Sequence, residues 1–220
     1  MNIFQVTIEE IVSSIALLLY VSAIVFVVTK RLYHKYVDRV GDRRMRYYNR
    51  KIIHIFAGGV VALLVPYIYN GPLIPFVLGI LLAIAVLIPY LRGKIYEWFQ
   101  VPDNMYDVNF CLVWGLMFPI SYYIWGDMIY AVVLISFMAF GDAVTGIVRN
   151  YLFKRRTKHW IGNLAMFIVS APIAYYYLGW IGVLAALVAS IAEHFEYKWI
   201  DDNILAPTSA FLVLYLLTTL

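Results

Sequence analysis

The sequence predicts an all-α bundle of membrane-spanning helices. Three observations lead there. The 220 residues are 64% hydrophobic and only 14% charged, with a mean hydropathy of +0.80, whereas a soluble domain carries about 25% charge. Several apolar runs approach the roughly 20 residues needed to cross a bilayer as a helix. The alternating segments of about ten residues that mark a membrane β-barrel do not occur, and a helix satisfies its own backbone in lipid. The whole chain reads as a single integral membrane domain, residues 1–220, without a soluble domain, low-complexity linker or clear repeat.

Eight hydrophobic segments follow in order, at about 11–29, 52–69, 72–91, 109–126, 128–148, 161–178, 180–193 and 204–220. The first lacks a preceding basic residue and a small-residue cleavage site, so it reads as a retained span. The last three are short for full spans, which tilt or local thinning of the bilayer accommodates. Tight turns separate neighbours on one side: Asn70-Gly71-Pro72, Gly126-Asp127 and Gly179. Longer polar loops lie on the other, at 30–51, 92–108, 149–160 and 194–203.

All 17 lysines and arginines fall on the long-loop side. Nine lie between Lys30 and Lys51, two at Arg92 and Lys94, five from Arg149 to Lys158, and the last is Lys198. The positive-inside rule assigns that side to the cytoplasm, which puts both termini outside. The only cysteine, Cys111, excludes an internal disulfide.

Against this background the stretch LISFMAFGDAVTGIVRN stands out, because it carries Asp142 inside an apolar helix. Asp142 lies seven residues before Arg149, roughly 10 Å below the cytoplasmic end. A carboxylate at mid-span costs about 2.5–3.5 kcal/mol on insertion scales, so a compensating charge or a function is expected. Asp142, Thr145, Gly146 and Arg149 share one helix face, and Gly141 lets another group approach. The ordinary alternative is an ion pair between Asp142 and Arg149.

Other polar groups reach the same level. In NRKIIHIFAGG, Arg50, His54 and Gly58 fall on one face, with Lys51 beside them. In KRRTKHWIGNLAMF, the cations Lys154, Arg155, Arg156 and Lys158 lead to Gly162 and Asn163 at a helix start, a place suited to an anion. In EHFEYKWIDDNILAP, Glu193, Glu196, Asp201, Asp202 and Asn203 form an acidic set of the oxygen chemistry that suits Mg²⁺ bridging phosphates, although Asp-Asp-Asn is also common turn chemistry. Together they describe a phosphorylated, metal-bound ligand at the inner interface, and hence phosphoryl or nucleotidyl transfer. A G-x-x-x-x-G-K-[ST] loop, a zinc-type histidine spacing and a G-x-S-x-G elbow are all absent.

The order RKIIHIFAGG, FGDAVTGIVRNY, KHWIGNLAMF, DDNILAP resembles the polyprenol kinase family, which includes dolichol, phytol and farnesol kinases and is related to membrane CDP-diacylglycerol synthases. The resemblance covers about residues 50–210. It implies a kinase that transfers phosphate from CTP to a long isoprenoid alcohol, with Mg²⁺ as cofactor. Arg50, Lys51 and His54 match its R-K-x-x-H; Gly141 and Asp142 match its Gly-Asp, whose acid is the expected metal ligand; Lys158 and Gly162 match the ends of its K-[ST]-x-E-G. Glu193, Asp202, Asn203 and Pro207 match its E…D-N-x-x-x-P. The run Lys158 to Asn163 departs from the stricter pattern of CDP-lipid synthases.

The implied assignment places Mg²⁺ on Asp142 with Asp202, and phosphate on Arg50, Lys51, Gly141, Lys154, Arg155, Lys158, Gly162, Asn163 and Asn203. His54, Asp201 and Glu193 remain three candidates for taking the hydroxyl proton. The implied partners are the alcohol, the nucleotide and the bilayer of a plasma membrane or endomembrane, with no nucleic acid; a homo-oligomer is compatible. A cytidylyltransferase and a non-enzymatic transporter or lipid-binding protein are the alternative readings.

Overall fold

A computed structural model describes residues 6–155, 157–195 and 201–219. Arg156, Glu196 and Lys198 of the loops above lie outside the described residues. The described chain is helical throughout its length, joined by turns and one longer loop.

Six helices are long and apolar enough to cross a membrane. They are α1 (Ile8–Val40), α2 (Asp42–Ile68), α3 (Leu73–Leu91), α4 (Tyr106–Trp125), α5 (Ile129–Phe153) and α6 (Trp160–Ala192). A seventh helix, α7 (Asp202–Thr219), packs along α6. The most apolar stretch of α5 is 78% buried and that of α1 only 11%. Helix α5 is therefore the centre of the bundle and α1 its rim.

Helix α1 is 33 residues long, about 50 Å at 1.5 Å per residue, which exceeds a hydrocarbon core of about 30 Å. Its basic end and the start of α2 thus form a hairpin that stands out of the apolar layer. Gly41 makes the tip with φ +89° and ψ 145°, a conformation that L side chains rarely adopt.

Helix α6 holds the sixth and seventh hydrophobic segments of the sequence. Its Gly179 has φ 60° and ψ −147°, outside helical space. A Cβ placed on Gly182 would lie 2.4 Å from the carbonyl oxygen of Ala174. Residues eight apart in a continuous helix are separated by about 12 Å, so the chain reverses at Gly179 into two arms.

Three helices contain a widened π segment: Ala23–Val28 in α1, Ile53–Gly59 in α2 and Phe137–Gly141 in α5. The last two pack on each other. A Cβ on Gly59 would meet the Phe140 ring at 2.5 Å, so the absent side chain sets the approach. The Gly58 carbonyl accepts a 3.0 Å hydrogen bond from the indole of Trp114, which supplies a partner where the helical ladder is disturbed. Such π turns rotate the side chains that follow them and are frequent at functional sites. Here His54 lies inside one and Asp142 directly after the other.

The loop between α3 and α4 is fixed by buried polar groups. The Gln100 amide donates to the Val86 carbonyl and to Asp107, while its oxygen accepts from the Tyr96 backbone. Asn49 reaches the Trp98 and Thr29 carbonyls at 2.8 Å each. Tyr96, Trp98, Phe99 and Phe26 form an aromatic cluster, and the Lys30 ammonium lies 5.2 Å over the Trp98 ring. A belt of this composition marks a membrane–water boundary.

Candidate functional site

The acid that drew attention in the sequence is paired, but not with the residue on its own helix. Asp142 Oδ2 accepts a 2.6 Å hydrogen bond from Lys51 Nζ of α2, and both residues are buried. His54 Nδ1 is 3.4 Å from the same oxygen without forming a hydrogen bond. Its ring stacks on Phe110 at 4.1 Å. The two π segments explain the meeting: they bring α2 and α5 together just where these side chains emerge. Removing either partner would leave an uncompensated buried charge.

Arg149 serves a second acid. Its Nη1 donates to Glu193 at 2.8 Å, its Nη2 to the Asn163 oxygen at 2.7 Å, and its Nε to the His159 carbonyl at 2.9 Å. Asn163 donates to Glu193 at 3.1 Å and to the Ser190 carbonyl. Lys158 Nζ lies 3.2 Å from Glu193 and 3.5 Å from Asp202.

Two close approaches by glycine make this packing possible. A Cβ on Gly162 would lie 2.3 Å from Arg149 Nε, and one on Gly146 would run into the Tyr47 hydroxyl. Gly162 thus accommodates Arg149. The helix start at Gly162 is also already capped, because the His159 ring accepts from the Ile161 N–H and the Gly162 N–H donates to the His159 carbonyl. At the helix start where the sequence suggested an anion, these N–H groups and Arg149 are already engaged with His159.

Asp142 of α5 meets Glu193 and Asp202, which lie nine residues apart at the end of α6 and the start of α7. They offer carboxylate oxygens that all lie within 4.8 Å of one another. Hard oxygen ligands at this spacing fit Mg²⁺. Lys51 holds one oxygen of Asp142, and a carboxylate has a second to offer. Glu193, read from sequence both as part of an acidic set suited to Mg²⁺ and as one of three candidate bases, lies in this cluster.

These groups face a polar cavity of about 730 Å³. Its lining includes Arg50, Lys51, His54, Asp142, Lys154, Arg155, Lys158, Glu193, Asp202 and Asn203. Ten of the fourteen residues assigned to metal, phosphate or proton transfer from sequence therefore share one chamber, with Gly146 and Arg149 beside them. Gly141, Gly162, Asn163 and Asp201 do not line it. Gly141 faces Met166 and Ser170 of α6, where a Cβ would lie 2.6 Å from the Ser170 hydroxyl. Asn163 stands behind Arg149. Asp201 is 1% exposed and accepts from Asn109 at 3.1 Å and from Asn203 at 3.4 Å. Burial first, and then the neighbouring Asp202 charge, push its carboxyl up to about 7.

Sequence reasoning missed Tyr47 and Tyr106, which also line the chamber, and counted Arg43 and Arg44, which line it too, only among the cations of the 30–51 loop. The Arg50 guanidinium lies 4.5 Å over the Tyr106 ring and 5.8 Å over that of Tyr47. Arg44 donates to the Lys154 carbonyl at 2.6 Å, which ties the α1–α2 hairpin across to the basic loop after α5. Tyr47 had a legible signal, since it lies one helical turn before Lys51. Tyr106 had none, because its approach depends on α4 packing beside α2.

A buried acid cluster surrounded by lysines and arginines can bind a metal with an anionic ligand and neutralise developing negative charge. No protein-family model, curated protein or solved structure matches the chain.

Proposed function

We propose that this protein is a CTP-dependent kinase of a long-chain isoprenoid alcohol, of the polyprenol kinase type. The observation that carries the reading is the convergence of Asp142, Glu193 and Asp202 in one chamber with Lys51, Lys154, Arg155 and Lys158. Three carboxylates alone would repel a triphosphate; with four cations around them, they favour a metal-bound one.

In this reading Asp142, Glu193 and Asp202 would hold Mg²⁺, which would supply positive charge against the phosphates. Lys154, Arg155 and Lys158 bind the phosphate oxygens. Lys51 holds Asp142 in place through its hydrogen bond, and Arg149 and Asn163 do the same for Glu193. The alcohol oxygen bonds to the γ-phosphorus while the bond from that phosphorus to the β,γ-bridging oxygen breaks. The electron pair leaves with CDP, and the hydroxyl proton passes to a base. His54 is the best situated of the three candidates, since Glu193 is engaged by Arg149, Lys158 and Asn163, and Asp201 lies outside the chamber.

The same reading takes the chain as crossing the bilayer eight times, with both termini outside and the chamber open to the cytoplasm. The reversal at Gly179 supports that count, because it turns the 33 residues of α6 into two arms. The concentration of lysine and arginine on the chamber side supports the orientation. The membrane is a plasma membrane or endomembrane.

The test uses purified protein, Mg²⁺ and CTP labelled at either the α- or the γ-phosphate. Gamma label is expected in geranylgeraniol or a longer polyprenol. Alpha label in an added lipid phosphate would replace the kinase with a cytidylyltransferase. Transfer of neither label would leave the non-enzymatic reading.

A further inference from the structure

Beside the polar chamber lies a second cavity of about 140 Å³, bounded by α1, α2, α3 and α4. Its walls are apolar: Val21 and Val25 of α1, Ala57 of α2, Leu78 and Leu82 of α3, and Phe110 of α4 are representative. It lies on the bilayer side of the aromatic belt, with Phe26, Tyr96 and Phe99 at its inner rim. Ser22 and Phe26 line it and are also exposed on the outer face of the bundle. The cavity thus meets the lipid at the rim helix α1. Arg50 and His54 line both this cavity and the polar chamber.

The polar groups around it are mostly engaged. The Tyr69 hydroxyl is bonded to Ser14, the Trp114 indole to the Gly58 carbonyl, and Asp107 to Tyr90 and Gln100. Arg50 Nη1 and His54 Nδ1 are buried without a hydrogen bond, and His54 is 5% exposed. These buried polar atoms left without a hydrogen bond thus lie where the two cavities join. That pattern fits one terminal hydroxyl on an apolar chain. It suits a diacyl phospholipid less, since two ester carbonyls would meet mostly apolar walls.

Resting on the kinase reading, we infer that this cavity is the acceptor subsite: it takes the hydroxyl-bearing first isoprenoid unit, with the hydroxyl at Arg50 and His54. A cavity of about 150 Å³ holds a molecule the size of benzene, so about 140 Å³ takes one branched five-carbon unit and not the rest of the chain. The remainder of the tail passes out by Ser22 and Phe26 into the bilayer. The site consequently selects the unit next to the hydroxyl and is indifferent to total chain length.

The test has a binding arm and a turnover arm. A diazirine placed in the first isoprenoid unit of a farnesol analogue is photolysed on the purified protein, and the adducts are mapped by mass spectrometry. Adducts are expected within residues 17–26 and 78–86, and farnesol and a long polyprenol should suppress them equally at equal mole fraction in the detergent. Adducts confined elsewhere, or suppression by dioleoyl phosphatidate in preference to both alcohols, would overturn the assignment. In the turnover arm, Val21→Trp and Leu82→Trp fill the cavity from two different helices. Each should raise the KM for alcohol at least tenfold and leave the KM for CTP within twofold; an unchanged alcohol KM in both would refute the subsite. Mapped adducts without phosphate transfer by the parent protein would retain the binding site and sink the kinase reading alone.

Discussion

Lys51 Nζ and Asp142 Oδ2 meet at 2.6 Å across the interface of α2 and α5, both shielded from solvent. Their partnership resolves how a carboxylate is tolerated within an apolar helix. The charge is matched from another helix, not from Arg149 about two turns along its own. Lys51→Met and Asp142→Asn should each destabilise the protein by about 3–5 kcal/mol, the cost of leaving one buried charge alone. The double variant should recover much of that loss, as read by thermal unfolding in detergent. On the proposed kinase reading, transfer activity should be absent from the double variant as well as from Asp142→Asn, since the proposed metal ligand is gone in both.

Gly162→Ala tests the seat of Arg149. The new methyl carbon would fall 2.3 Å from Nε and 2.8 Å from Cδ, so the guanidinium must shift away from Glu193 and Asn163. Overpacking of this kind costs about 1–3 kcal/mol. The melting temperature should fall, and KM for the nucleotide should rise as Glu193 loses its orientation. An unchanged melting temperature would mean that Arg149 has room to move.

The acidic cluster makes a prediction about metal dependence. Asp202→Asn keeps the side-chain shape and removes one anionic ligand of three. The Mg²⁺ concentration for half-maximal activity should rise at least tenfold, in line with the sensitivity of metal sites to their ligands. Glu193→Gln should behave likewise. Mn²⁺ binding followed by electron paramagnetic resonance, without nucleotide, reads the same site independently of turnover. Parent-like Mn²⁺ affinity in both variants would remove these residues from the metal site.

The orientation is open to direct labelling. In a Cys111→Ala background, Arg43→Cys at the hairpin tip and Asp127→Cys in the short turn after α4 are both exposed. A membrane-impermeant maleimide should label position 43 only in inverted vesicles and position 127 only in right-side-out ones. The opposite pattern would turn the chamber outward and contradict a cytosolic nucleotide.

The sequence by itself determined the class of this protein. Runs of about 20 apolar residues in a chain with 14% charge require helices that satisfy their own backbone. It also determined which polar residues stand out, because ionisable groups are few in such a chain: Asp142, His54, Lys51 and Glu193 were legible as exceptions to their surroundings. Partnership was not legible. Helical spacing pointed Asp142 toward Arg149 and grouped Arg50 with His54, since local periodicity reports only residues on one helix. The pairs that formed, Lys51 with Asp142 and Arg149 with Glu193, are 91 and 44 residues apart. They depend on the π segments that turn α2 and α5 toward each other and on Gly162, whose missing side chain admits the guanidinium. The apolar cavity was equally invisible, for its walls come from four helices. A hydropathy pattern records that each of those faces is apolar, and only their packing decides where they leave a space.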